Sequence, residues 1–160
     1  MCQPASRSGN MRAVGGQIVI GLHGNDRVII KIEGRAHPGT TDYWDGNWMI
    51  SPISVRVGGL TAEIAATLRM DEIHRFNEGL KYINQNLEGS AVLASMELWI
   101  DLTVRCEPNG HLSVAGDVTE DPGRGTHLEF EIDDLDQTML PGWISALDDI
   151  EREFPVLGRP

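Results

Sequence analysis

The feature that most constrains this chain is a change of hydrophobic period that happens twice. Strand-like alternation between residues 17 and 68 gives way to a helical stripe at Ile73, Phe76, Leu80, Ile83 and Leu87, spaced 3, 4, 3, 4. Alternation returns between 91 and 133, then yields to a second stripe at Leu140, Trp143, Leu147, Ile150 and Phe154 with the same spacing. The stripes superimpose at an offset of 67, and Leu60-x-x-Glu63-Ile64 matches Leu128-x-x-Glu131-Ile132 at an offset of 68. Period two places alternate residues on one face of a strand, and period 3.6 places a stripe on one side of a helix. One-faced strands and one-striped helices must bury those faces against each other. The expected fold is therefore α+β: a two-layer sandwich with a mostly antiparallel sheet of about seven to eight strands and two helices on one face. Its order is ββββα-ββββα. Duplication and convergent patterning both explain the likeness of the halves, because amphipathic helices share this spacing.

The punctuation supports that order. Gly24-Asn25-Asp26 turns a first hairpin over 17–36, and His37-Pro38-Gly39 ends it. A third strand over Trp48–Val57 is expected to bend near Pro52, and Gly58-Gly59 turns it into a fourth, Leu60–Leu68, with Leu60, Ala62, Ile64, Ala66 and Leu68 inward. Asp71 and Gly89 are candidate N-cap and C′ residues of the first helix. Gly79 falls mid-helix, where close packing would explain it. In the second half Leu98–Cys106 alternates, with Leu98, Ile100, Leu102, Val104 and Cys106 inward and Trp99, Asp101, Thr103 and Arg105 outward. Glu107-Pro108-Asn109-Gly110 and Asp121-Pro122-Gly123 are turns. The last strand, 126–133, points Glu129, Glu131 and Asp133 outward. Pro141 fits the first turn of the final helix, which begins about Thr138 or Met139.

At 160 residues the chain is one domain, expected over 16–157 behind a disordered tail at 1–15. No apolar run approaches the ~20 residues of a transmembrane helix, so no membrane association is expected. The first 16 residues lack the apolar region of a secretory signal. Cys2 and Cys106 make no disulfide framework, which favours a reducing cytoplasm. The net charge is −11, and its distribution says more than its size. Residues 107–153 hold thirteen acids against two bases, whereas residues 1–106 hold eleven against ten. Such a field repels nucleic acid and attracts cations or basic proteins. It also serves solubility.

The richest side-chain chemistry lies in Asp42-Tyr43-Trp44-Asp45-Gly46-Asn47-Trp48, which holds two of the four tryptophans. Tyr43, Trp44 and Trp48 have the amphipathic rings of binding hot spots, and Asp45 and Asn47 flank a turn glycine. Two readings stand. The stretch is an exposed binding loop, or it plugs the end of the sheet while its polar groups bond their own backbone. Glu129, Glu131, Asp148, Asp149 and Glu151 are the acidic candidates for contact with a protein partner. The carboxylates of Asp133 to Asp136 complement a helix N-terminus, and EF-hand spacing is absent. Five histidines show no metal-ligand spacing, and no nucleophile elbow or phosphate loop occurs. No catalytic residue, metal or cofactor is expected.

Tyr43-Trp44-Asp45-Gly46-Asn47-Trp48, the Glu107-to-His111 turn and Asp136-Gln137-Thr138-Met139-Leu140-Pro141 resemble a group of small bacterial proteins. The Trp-Asp-x-Asn-Trp element is similar to one in WapI-type immunity proteins, which protect a bacterium from its own polymorphic toxin. The resemblance implies a cytoplasmic, non-catalytic protein that binds a toxin domain. If that toxin is a nuclease, and so basic, the acidic last third would be the contact region. Two other arrangements remain open: a structural or regulatory homodimer through a sheet edge or the wet sheet face, and a small-ligand binder using the Tyr43–Trp48 loop.

Overall fold

The computed structural model describes residues 15–22 and 24–160. The expected tail lies, apart from Gly15, outside them. The first half runs β1 (Gly16–Gly21), β2 (Arg27–Ile32), β3 (Gly34–Arg35), α1 (Tyr43–Gly46), β4 (Trp48–Ile50), β5 (Ile53–Val57), β6 (Leu60–Ile64), β7 (Thr67–Arg69) and α2 (Met70–Asn86). The second runs β8 (Gly89–Ala94), β9 (Ile100–Cys106), β10 (His111–Thr119) and β11 (His127–Asp136), then a single 3₁₀ turn (Gln137–Met139) and α3 (Leu140–Glu153). The α+β class and the ββββα order hold. The strands are eleven rather than seven or eight, and they form three antiparallel sheets: β1-β2-β5-β6, β3-β4-β7 and β11-β10-β9-β8.

Bending explains the extra strands. Three strands of the first half break together, at Glu33, at Ser51-Pro52 and at Ala65-Ala66. Pro52 has no N–H to give a ladder. Its carbonyl still accepts from Lys31 (3.0 Å), Glu33 donates to Ile50 (2.9 Å) and Ser51 donates to Ala66 (3.0 Å). The three-stranded sheet is thus the bent continuation of the first four-stranded one.

The helices cross between the halves. α2 packs on β8, the first strand of the second half, and α3 packs on β1, the first strand of the first half. Small residues permit both approaches. A Cβ on Gly79 would lie 2.8 Å from the Ala91 Cβ, and one on Gly16 would lie 2.8 Å from Ile150 Cγ1. The inward sets of the two four-stranded sheets and the helix stripes, apart from the exposed Leu87, then form one core, from Ile18, Ile30 and Val55 through Phe76 and Leu80 to Leu102, Val114, Trp143 and Leu147. Gly116 takes an inward position of β10 because a Cβ there would meet Phe130 Cζ at 2.4 Å.

Several local expectations need correction. Leu60 is 62% exposed, since it follows directly on the Gly58-Gly59 turn. β9 starts at Ile100, and Leu98 lies outside it at φ 63°. Leu87 ends α2 in the left-handed region at φ 53°, and Gly89 already opens β8. α2 begins at Met70, so Asp71 is inside the first turn rather than at its cap. β11 runs past Asp133 through an irregularity opposite Leu112 and Val114, with Asp134 at φ 62°, which returns Leu135 to the core.

Candidate protein-binding face

The aromatic stretch is organised around a residue outside it. Pairing of β4 with β7 sets Trp48 opposite Arg69. Arg69 is 1% exposed. Its Nη1 donates to the Trp44 carbonyl, its Nη2 to the Tyr43 carbonyl (2.8 Å) and its Nε to Asp71 Oδ1 (2.9 Å). The rings of Tyr43, Trp48 and Trp44 surround the guanidinium at 5.1, 5.1 and 5.7 Å. A planar cation with a fixed fork of donors suits both tasks. The space between the rings is therefore filled by Arg69 rather than left open to a ligand.

Local bonds complete this unit. Asp42 caps α1, accepting from the Trp44 and Asp45 amides (both 2.9 Å). The Asp45 amide, with that of Trp44, holds the Asp42 carboxyl below the usual carboxylate range. Asn47 is fully buried; its amide donates to Tyr43 O (2.9 Å) and Leu157 O (3.0 Å) and accepts from Leu157 N (2.8 Å). Arg35 donates to Gly46 O and Pro155 O (both 2.7 Å). The stretch is thus tied to the chain that follows α3. Trp44, 57% exposed, and Asp45 still reach the surface.

Arg69 also reaches the loop before β9. Glu72 is buried, and it accepts from Arg69 N (3.0 Å) and from Met96 N (2.7 Å). Burial pushes its carboxyl above the ordinary range. Thr67 and the Trp99 indole both donate to Glu97 Oε2, at 3.2 and 3.3 Å. Ser95 Oγ accepts from the Trp99 and Ile100 amides (2.7 and 3.3 Å), which fixes the turn that carries Leu98.

The acids separate into two groups. On α3, Asp148 accepts from Asn77 (2.8 Å) and pairs with Lys81 (3.1 Å), and these neighbours hold it below the usual range. Glu151 accepts from Asn77 (3.1 Å) and meets His74 Nδ1 (3.0 Å), while Asp149 pairs with Arg152 (2.6 Å). Asp148 and Glu151 therefore stitch α3 to α2. The second group lies on the outer face of β9, β10 and β11. Register places Asp101 opposite Asp117 and Asp117 opposite Glu129, one carboxylate on each of three adjacent strands. With Glu131, Thr103 and Ala115 they line a shallow groove of about 230 Å³. His127 meets Asp117 at 2.7 Å. The sequence marked Glu129 and Glu131 and turned Asp101 outward, but only the register aligns them with Asp117. Among the described residues no group of three or more His, Cys, Asp or Glu is placed to hold a metal, and no helix is long and apolar enough to cross a membrane.

Comparison with known proteins adds family to this geometry. No curated protein matches the chain. Among solved structures it is similar to a chain of the Trypanosoma bruciei MRP1/MRP2 crystal structures, at 10% identity and a TM-score of 0.44, over 89% of this chain and 88% of that one. The model of the Immunity protein WapI-like family matches residues 19–155, which span both ββββα halves, the Tyr43–Trp48 stretch and the acidic face. By that match the chain belongs to the immunity protein WapI-like family.

Proposed function

We propose that this chain is a non-catalytic, cytoplasmic immunity protein that neutralises a toxin by holding a basic toxin domain against the outer face of its β8–β11 sheet. Family membership supports the immunity role, and the row Asp101–Asp117–Glu129 supports the place. Like charges directly opposite each other on a sheet oppose folding, by roughly 0.2–1 kcal/mol per pair. Lysines or arginines would serve solubility as well and would relieve that repulsion. An acidic field instead speeds encounter with a basic partner and fixes its register. Asp148, Asp149 and Glu151, already paired, contribute to the long-range field more than to contact. The same row disfavours a homodimer through this face, since a second copy would set acid against acid.

The test is co-expression with any toxin domain encoded beside this chain's gene. The chain should rescue growth. Neutralising the face (Asp101→Asn, Asp117→Asn, Glu129→Gln and Glu131→Gln together) should slow association at low salt by about tenfold or more and flatten its salt dependence. Unchanged association kinetics would remove this face from the contact, and failure to bind or rescue would refute the immunity role for that toxin.

A further inference from the structure

We propose that the partner is anchored by an apolar strip centred on Leu98, at the end of the acidic face, and that the matching surface is a basic protein face with an apolar recess. This rests on the binding role proposed above and adds the residues that hold the partner once it has arrived.

Leu98 is the starting observation. It stands at φ 63°, where a leucine Cβ crowds its own backbone. It is also 70% exposed, the most exposed of the large hydrophobics among the described residues. The fold gains neither burial nor relaxed backbone from a leucine here, and asparagine or glycine would fit better. The loop nevertheless holds it firmly. Leu98 N donates to Ser95 O and Ser95 N to Ile100 O (both 3.0 Å), and Met96 N is bound by buried Glu72. A strained, exposed leucine on a braced loop is displayed outward.

It has company. Met96 is 59% exposed, and Ile50 is exposed opposite Thr67, whose hydroxyl bonds the same Glu97 as the Trp99 indole. Trp48 lies two residues from Ile50 on the same face of β4, and Trp44 shares the Arg69 guanidinium with it. Leu98, Met96, Ile50, Trp99, Trp48 and Trp44 therefore form one strip. Aromatic residues and Met are enriched at the cores of protein interfaces. The strip continues into the acidic face: Trp99 O accepts from Thr119 N (3.0 Å), and Asp101 follows two residues along the same outward alternation. Charge complementarity then selects the occupant. A basic partner is drawn by Asp101, Asp117 and Glu129, whereas a second copy brings the same acids to the same place.

Leu98→Asn tests this without harming the fold, because asparagine tolerates the left-handed conformation. Leu87→Asn is the control: Leu87 has the same conformation but sits at the far end of α2, about 25 Å along the helix from its start. Binding of each variant to any toxin domain encoded beside this chain's gene, purified, is measured by biolayer interferometry, with melting temperatures and light scattering alongside. The expected result for Leu98→Asn is an unchanged or raised melting temperature and at least tenfold weaker binding, carried by faster dissociation. Leu87→Asn should bind as the parent does. If the parent binds and Leu98→Asn binds equally well, the anchor is refuted and the immunity role stands. If the parent does not bind, both fall. If Leu98→Asn turns a dimer into a monomer, the strip is a self-contact and the proposal is overturned.

Discussion

Arg69 shows at the residue scale why the aromatic stretch exists. The sequence displays the rings, but the cation they enclose is 21 residues beyond Trp48 and bonds backbone carbonyls, which leave no mark on side-chain patterns. That is why the stretch stood out and its centre did not. Arg69→Met should destabilise the fold by ~3–5 kcal/mol in urea denaturation, since it strands two carbonyls in partly buried surroundings and leaves Asp71 with Arg75 alone. Arg69→Lys should recover little, because an ammonium cannot reproduce the fork. An unchanged midpoint for Arg69→Met would show that the rings hold themselves. Glu72 allows a pH test. Its folded carboxyl keeps its proton above the ordinary value of 4.5, because burial disfavours the charge. The unfolded chain releases that proton first, so the group's contribution is full below about 4.5 and is lost as pH rises through the folded pKa. The stability advantage of the parent over Glu72→Gln should therefore shrink as pH rises through that window. An advantage that grows would mean the two amides outweigh burial.

Elements were legible wherever one face is buried along the whole length. The helix stripes are core except for Leu87, which is 44% exposed where α2 ends, and the strand alternations of β9 and β10 match their burial. Two failures share a cause: the alternating pattern runs to the last pair of its ladder, as at Leu60 opposite Val57, or past it, as at Leu98. Leu60 and Leu98 extend the inward sets on paper, yet each sits at a turn where no opposing layer exists. α1 was unreadable because four residues span one turn, and only the Asp42 cap announces it. Gly79 was readable as a close approach, and the structure supplies its partner, Ala91. Gly79→Ala gains helix propensity of about 1 kcal/mol but forces two methyl carbons together, at a cost of ~1–3 kcal/mol. A net loss of stability is expected, with recovery in Gly79→Ala/Ala91→Gly. Two penalties that simply add in thermal unfolding would mean that the contact does not couple.

The whole molecule is two ββββα halves whose helices trade places, each covering the first strand of the other half. Amphipathic spacing says that a helix has a partner, not which one, so the sequence supported a layered α+β fold but not the exchange or the division into three sheets. Charge behaved likewise. The acidic excess of residues 107–153 was plain from counting, while register and α2 decide which acids share the outer sheet face, where His127 meets Asp117, and which stitch helices together. Asp101, outside that counted segment, joins the face by pairing alone. Carboxylate footprinting tests this division most directly: the chain is labelled with carbodiimide and an amine, free and bound to a toxin domain that it neutralises in co-expression, and modification is read residue by residue. Glu97, Asp101, Asp117, Glu129 and Glu131 should be shielded in the complex while Asp149 and Glu153 label as before. Shielding of Asp149 and Glu153, with the sheet face still open to label, would contradict it.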